Sequence, residues 1–265
     1  VENLKPRIDV VSFSDYSEIS IVRGRKVDQS FKIGPNEVSA LITHSDGSIT
    51  DLGISYNLMT TAGRDLFAAS MGNAAMKDGA LTASSATSAT PAGGGLTTDQ
   101  YKGWRVYCPV TALTTAPVYG NIGSNSTTVL TVDGWWVGTS DTMTGATPAS
   151  TNGYMIVPSG LPRFMGLTTD AAAANAADTV LATEITTNGG SRSKATYAHT
   201  GGTATLTLQV AYSISGSFTA IHKMGLFTAA NTTAAGILCF ESVLNADATV
   251  VSGDTLTVTD TITLS

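Results

Sequence analysis

Thr255-Leu-Thr-Val-Thr-Asp-Thr-Ile-Thr-Leu264 alternates five threonines (255, 257, 259, 261, 263) with Leu256, Val258, Asp260, Ile262 and Leu264. Successive side chains of a strand point to opposite faces, and β-branched threonine suits a pleated, half-exposed surface. The stretch therefore reads as a strand with one face in a core and a threonine face turned outward. Asp260 is the one fault on the apolar side. An unpaired carboxylate in a core is costly, so Asp260 is expected at a sheet margin or beside a hydrogen-bond donor.

The same period recurs upstream. In Thr203–Tyr212, residues Leu206, Leu208, Val210 and Tyr212 lie opposite Thr205, Thr207 and Gln209. Residues 236–244 place Leu238, Phe240 and Leu244 on one face, and Ser252-Gly-Asp254 turns the chain into the threonine strand. Val38–Thr43 and Ser48–Leu52 flank a turn at His44-Ser-Asp46-Gly47. Several such strands with Gly-rich turns predict a mainly β fold, an antiparallel β-sandwich. One short α-helix is expected from Thr60 to Met71, with a threonine cap, Asp65 near the positive end of its dipole, and a stripe of Leu66, Phe67 and Met71. Gly72 supplies the stop.

Three regions differ in texture. Residues 1–40 hold six of the fourteen Lys/Arg and six of the twenty Asp/Glu. Such a concentration reads either as an extended N-terminal docking arm, with Arg23, Arg25 and Lys26 as its contact residues, or as a solvated edge hairpin. Residues 82–98 and 139–152 are rich in Ser, Thr, Gly, Ala and Pro, and all three tryptophans fall between them. Residues 81–160 are therefore expected to form an inserted small β module, with 41–80 and 161–265 making the sandwich body.

Composition excludes several classes. Only 13% of residues are charged and the net charge is −6, which argues against binding nucleic acid by neutralising phosphates. No apolar run reaches the length of a membrane-spanning helix, and no basic and apolar leader opens the chain, so neither a membrane partner nor a secretory signal is expected. His44, His199 and His222 have no metal-ligand spacing, and no nucleophile elbow, phosphate loop, Cys-x-x-Cys or HExxH motif occurs. Glu184 and Glu241 stand isolated in the sequence. No catalytic residue, metal or cofactor is predicted. Cys108 and Cys239 are read as buried apolar thiols or as a disulfide joining two modules. Trp135 and Trp136 are consecutive, so in a strand one is expected inside and the other partly exposed. Together with Trp104 they are candidates for core packing, a subunit contact or stacking on a glycan.

Three stretches carry a resemblance. They are Ser48-Ile-Thr-Asp-Leu-Gly-Ile-Ser-Tyr-Asn57 with Met59-Thr-Thr-Ala-Gly-Arg-Asp-Leu-Phe67; Gly95–Tyr107 with Tyr119–Trp135; and Lys223-Met-Gly-Leu-Phe227 with Ser252-Gly-Asp-Thr-Leu-Thr-Val-Thr259, flanked by Asp178–Glu184 and Arg192–Thr200. In these the chain resembles accessory virion proteins of tailed bacteriophages, variously head decoration, fibre or minor tail proteins. The resemblance spans most of residues 45–265. It implies a non-enzymatic structural protein assembled in the host cytoplasm, with other virion proteins (a major capsid or tail protein) as partners and a homo-oligomeric state. Capsid decoration is the first placement, a tail or head fibre the second, and a host-surface glycan binder the alternative of a different class.

Overall fold

The computed structural model describes residues 18–20, 30–32, 36–71, 77–109, 117–137, 143–144, 147–150, 152–158, 162–230 and 236–263. Arg23, Arg25 and Lys26, the helix stop Gly72 and the terminal Leu264 lie outside the described residues. In chain order, β1 (Glu18–Ser20) pairs with β2 (Ser30–Lys32). β3 (Glu37–Thr43), β4 (Ile49–Tyr56), β5 (Leu58–Met59) and α1 (Thr61–Met71) follow. The middle of the chain supplies β6 (Lys77–Ser85), β7 (Ser88–Pro91), β8 (Arg105–Cys108), β9 (Val118–Asn125), β10 (Leu130–Val132), β11 (Trp135–Val137), β12 (Met143–Thr144) and β13 (Gly153–Val157). The last part gives β14 (Phe164–Thr168), β15 (Ser193–Lys194), β16 (Thr196–His199), β17 (Thr205–Ser213), β18 (Phe218–Phe227), β19 (Leu238–Val250) and β20 (Thr255–Thr263). The chain is mainly β, with antiparallel sheets.

β20 is the middle strand of a five-stranded sheet ordered β16-β17-β20-β3-β4. Its alternation holds: Leu256, Val258 and Ile262 are buried and the five threonines are half-exposed. β17 behaves likewise, burying Leu206, Leu208, Val210 and Tyr212. A second sheet, β15-β14-β18-β19-β5, contributes Met165, Leu167, Met224, Leu226 and Phe240 to the same buried core. The Tyr212 hydroxyl links the sheets by donating to the Met165 carbonyl at 2.6 Å. Asp260 departs from expectation. It sits not at a margin but in the central strand, directly between Leu208 and Val38 and fully buried, with the Asn57 amide nearby. The apolar period of its neighbours fixes which face it occupies.

Strand β3 also moves a boundary. Glu37–Ala40, assigned from charge to the arm, are the first rungs of β3, where Val38 and Ala40 enter the core. The charge count and the strand reading of Val38–Thr43 overlap at residues 38–40, and the strand prevails, so any arm ends before residue 36.

The expected helix is present over Thr61–Met71. Thr60 caps it, its Oγ1 accepting from Gly63 N at 3.0 Å and its carbonyl accepting from Arg64 N at 3.0 Å. Leu66 and Phe67 are buried, with Phe67 set edge-on to Phe240. Gly63 is required by close approach: a Cβ there would collide with the Cys239 backbone on β19. Asp65 falls beyond the first turn, where the dipole has little hold on it.

Strands β6–β13 form a unit that a plain sandwich does not describe. Their order is β10-β7-β6-β13-β8-β9, and β9 pairs again with β10. The sheet thus closes into a six-stranded barrel, with β11 and β12 continuing from β9. Closure removes the free edges that short strands would otherwise expose. Leu81, Ala89, Val106, Ile122, Leu130, Val132 and Ile156 are buried within this unit.

Candidate functional site

The outer face of the β17-β20-β3-β4 sheet follows from register. Thr255, Thr257, Thr259, Thr261 and Thr263 stand opposite Ser213, Ala211, Gln209, Thr207 and Thr205 on one side. On the other side Thr255, Thr257, Thr259 and Thr261 stand opposite Thr43, Leu41, Ser39 and Glu37. β4 then adds Ile49, Asp51, Ile54 and Tyr56 to the same face. Across four strands the only charges on this face are Glu37 and Asp51. Its β4 side is apolar and open to solvent, with Ile49 68%, Ile54 53%, Tyr56 62% and Leu41 39% exposed. A contiguous exposed apolar patch beside a polar field is the usual mark of an interaction surface. The sequence reading missed this edge. Ile49, Leu52, Ile54 and Tyr56 fall on both parities, and a register shift between Ser39 and Leu41 breaks the alternation that would have separated them.

The tryptophans are elsewhere and inside. Trp135 is 1% exposed and Trp136 6%, so the expectation that one of the pair is partly open is corrected. Trp135 Nε1 donates to the Ser85 carbonyl at 2.8 Å. Trp136 stacks on Tyr119, packs against Phe164 of the neighbouring sheet and carries Lys194 Nζ 4.6 Å from its ring centroid. Trp104 is buried edge-on to Tyr101. None of the three offers a face for a sugar ring.

The buried charged groups hold the fold together. Asp133 accepts from Asn121 N (3.2 Å), Asn121 Nδ2 (2.8 Å), Trp136 Nε1 (3.1 Å) and Ala230 N (2.9 Å), joining the barrel to the β18–β19 connection. Burial nevertheless outweighs these donors and raises its pKa. Glu184 and Glu241, isolated in sequence, are both paired in space. Arg192 makes a two-pronged bond to Glu184 (2.7 and 2.6 Å) and lies over Phe227. Lys223 reaches Glu241 at 2.8 Å and Asp170 at 2.9 Å. Burial pulls the Lys223 pKa down, but the two carboxylates outweigh it and hold the amine above its ordinary value. These pairs pin residues 169–192, which contain no helix or strand, to β18 and β19. Neither pair lies within one helix or strand, so no local period signals it.

The remaining reactive types are also committed. Asp254 is buried at the turn before β20 and accepts from Ser45 N (3.1 Å), Val251 N (2.9 Å) and His44 Nδ1 (3.3 Å), which together hold its carboxyl below the usual range. His222 bonds Asp247, and His199 donates to the Thr205 carbonyl. Cys108 and Cys239 are free and buried, so no disulfide joins the modules. Burial pushes the Cys108 thiol up to about 12 and raises Cys239 as well, which suppresses the reactive thiolate. Among the described residues no group of three or more His, Cys, Asp or Glu is placed to hold a metal, and no helix is long and apolar enough to cross a membrane.

Comparison with known proteins gives no match to a family model, to a curated protein or to a solved structure.

Proposed function

We propose that this is a structural, non-enzymatic virion protein: a β-sandwich body carrying an inserted barrel, which docks on other virion proteins. The observation that carries the reading is the outer face of β17, β20, β3 and β4. It is broad, almost free of charge and apolar along β4, so it suits contact by shape and apolar burial rather than by ion pairs. The resemblance of residues 45–265 to phage accessory proteins supports a virion partner, with a capsid surface as the first placement and a tail or head fibre as the second. Many copies in a symmetric array reinforce one another, so each contact needs only modest affinity. The glycan alternative loses its support, because the three tryptophans it rested on are buried.

The test is co-sedimentation of the purified protein with particles stripped of it. Wild type is expected to pellet with the particles. Leu41→Lys with Ile54→Lys is expected to abolish pelleting while leaving the thermal transition unchanged, since both side chains are solvent-exposed and the lysine at 41 stands opposite Asp51. Undiminished pelleting of this variant contradicts docking through the face.

A further inference from the structure

The inner face of the same sheet holds five polar atoms without partners at one place. Asp260 Oδ1 and Oδ2, Asn57 Nδ2 and Oδ1, and Asn36 Oδ1 are all buried and make no hydrogen bond. Register explains their proximity. Asp260 is opposite Val38, and Asn36 precedes Glu37 by one residue on the same face as Val38. Asn57 follows Tyr56, the partner of Glu37, and its backbone N donates to the Asn36 carbonyl at 2.9 Å. Native proteins leave few buried polar groups unsatisfied, so five in one place call for an explanation.

We propose that Asp260 is carried as a neutral acid paired with the Asn57 amide, and that loss of its proton loosens the sheet where β3, β4 and β20 meet. The atoms fit one arrangement. An ionised carboxylate offers two acceptors, while the amide offers one donor group and one acceptor, so the Asn57 oxygen and one Asp260 oxygen are left facing each other unpaired. A proton on one Asp260 oxygen turns it into a donor. Two reciprocal hydrogen bonds then satisfy all four atoms, and the second N–H of Asn57 remains for Asn36 Oδ1. Removing the proton strands an unpaired charge in an apolar layer, which is the costlier state.

The surroundings agree. β17 presents Leu208 flanked by Leu206 and Val210, and β3 presents Val38 and Ala40. Glu37 points to the outer face, and Lys223 and Glu241 on the second sheet are paired with each other. Neither they nor Arg64 and Asp65 of α1 shift Asp260. Burial raises its pKa to about 7, against a smaller opposing effect from the nearby Asn57 amide. A carboxyl raised from about 4 in the unfolded chain favours folding most strongly below pH 4. That contribution is lost as the pH rises to about 7 and changes no further above it.

Thermal melts of the full chain at pH 5 and pH 8 test this, with Asp260→Asn and Asp260→Leu beside wild type. Asn keeps both hydrogen bonds without a charge, so its melting temperature relative to wild type is expected to rise by about 5 °C between pH 5 and pH 8. Leu leaves Asn57 unpaired and is expected to melt below Asn at both pH values. The infrared carbonyl stretch of a protonated carboxylic acid is expected in wild type at pH 5 and is expected to weaken by pH 8. A difference between wild type and Asp260→Asn that does not change with pH overturns the proposal, and so does equality of the Leu and Asn variants. If the variants fail to fold, absence of the acid band in wild type at pH 5 overturns it alone.

Discussion

Val38 of β3 and Asp260 of β20 are direct partners across the ladder, both on the buried face. The pair ties two findings together: β3 is part of the core, and that core contains a buried carboxyl. Around it, structure and proposed role divide by face. The inner face sets stability, and the outer face is free to make contacts.

Because Val38 and Ala40 are core residues, the N-terminal boundary can be tested by truncation. A chain starting at Leu41 loses four of the seven β3 residues and both buried side chains. It is expected to lose its cooperative thermal transition, whereas a chain starting at Asn36 is expected to keep it. A normal melt from the shorter chain would show that β3 is dispensable.

Leu256 and Thr257 separate the two faces of β20. Leu256 is fully buried, and truncating it to alanine is expected to cost about 2–5 kcal/mol through lost transfer energy and a cavity. Thr257→Ala, on the half-exposed face, is expected to cost under about 1 kcal/mol. Denaturant titration of both variants checks the difference. Equal losses would mean that assembly buries the threonines, in which case the Thr257 effect depends on protein concentration.

How much of this was legible follows from the range of each signal. Alternation in 205–212 and 255–263, the capped helix at Thr60 and the turn at His44–Gly47 are local patterns, and all are present. Closure of the barrel depends on β9 meeting both β8 and β10, a pairing that no local period encodes. Trp136 was misjudged because neighbouring strand residues do face opposite ways, but here both faces are covered: one by the barrel, the other by Phe164 of the next sheet. Lys223 with Asp170, and Arg192 with Glu184, needed the path of residues 169–192 to be known.

Asp133 is expected to be the most sensitive joint between barrel and body. Asp133→Ala leaves Asn121, Trp136 Nε1 and Ala230 N without their acceptor. Each buried group so orphaned costs on the order of 1–3 kcal/mol. The variant is expected to lose at least about 2 kcal/mol, with a change in tryptophan fluorescence before the main unfolding transition. A variant as stable as wild type would show that the barrel is held by apolar packing alone.

Asp254 gives a pH signature of opposite sign to Asp260. Its carboxyl is held below the usual range by backbone donors and His44, so it stabilises the fold above about pH 4 and loses this effect as the pH falls through its own lower value. Asp254→Asn is expected to lower the melting temperature at pH 7, and the gap to wild type is expected to close as the pH approaches 2. A gap that is constant with pH would mean that the hydrogen bonds matter and the charge does not.

The central claim, that the chain is a structural component docked in many copies on a virion, is tested most directly by counting it there. Purified particles are resolved on a denaturing gel, and the band is quantified against the major capsid protein. A fixed, near-integral ratio with hundreds of copies per particle is the predicted result. A handful of copies would move the protein to the tail or a fibre, and absence from intact particles would contradict the claim.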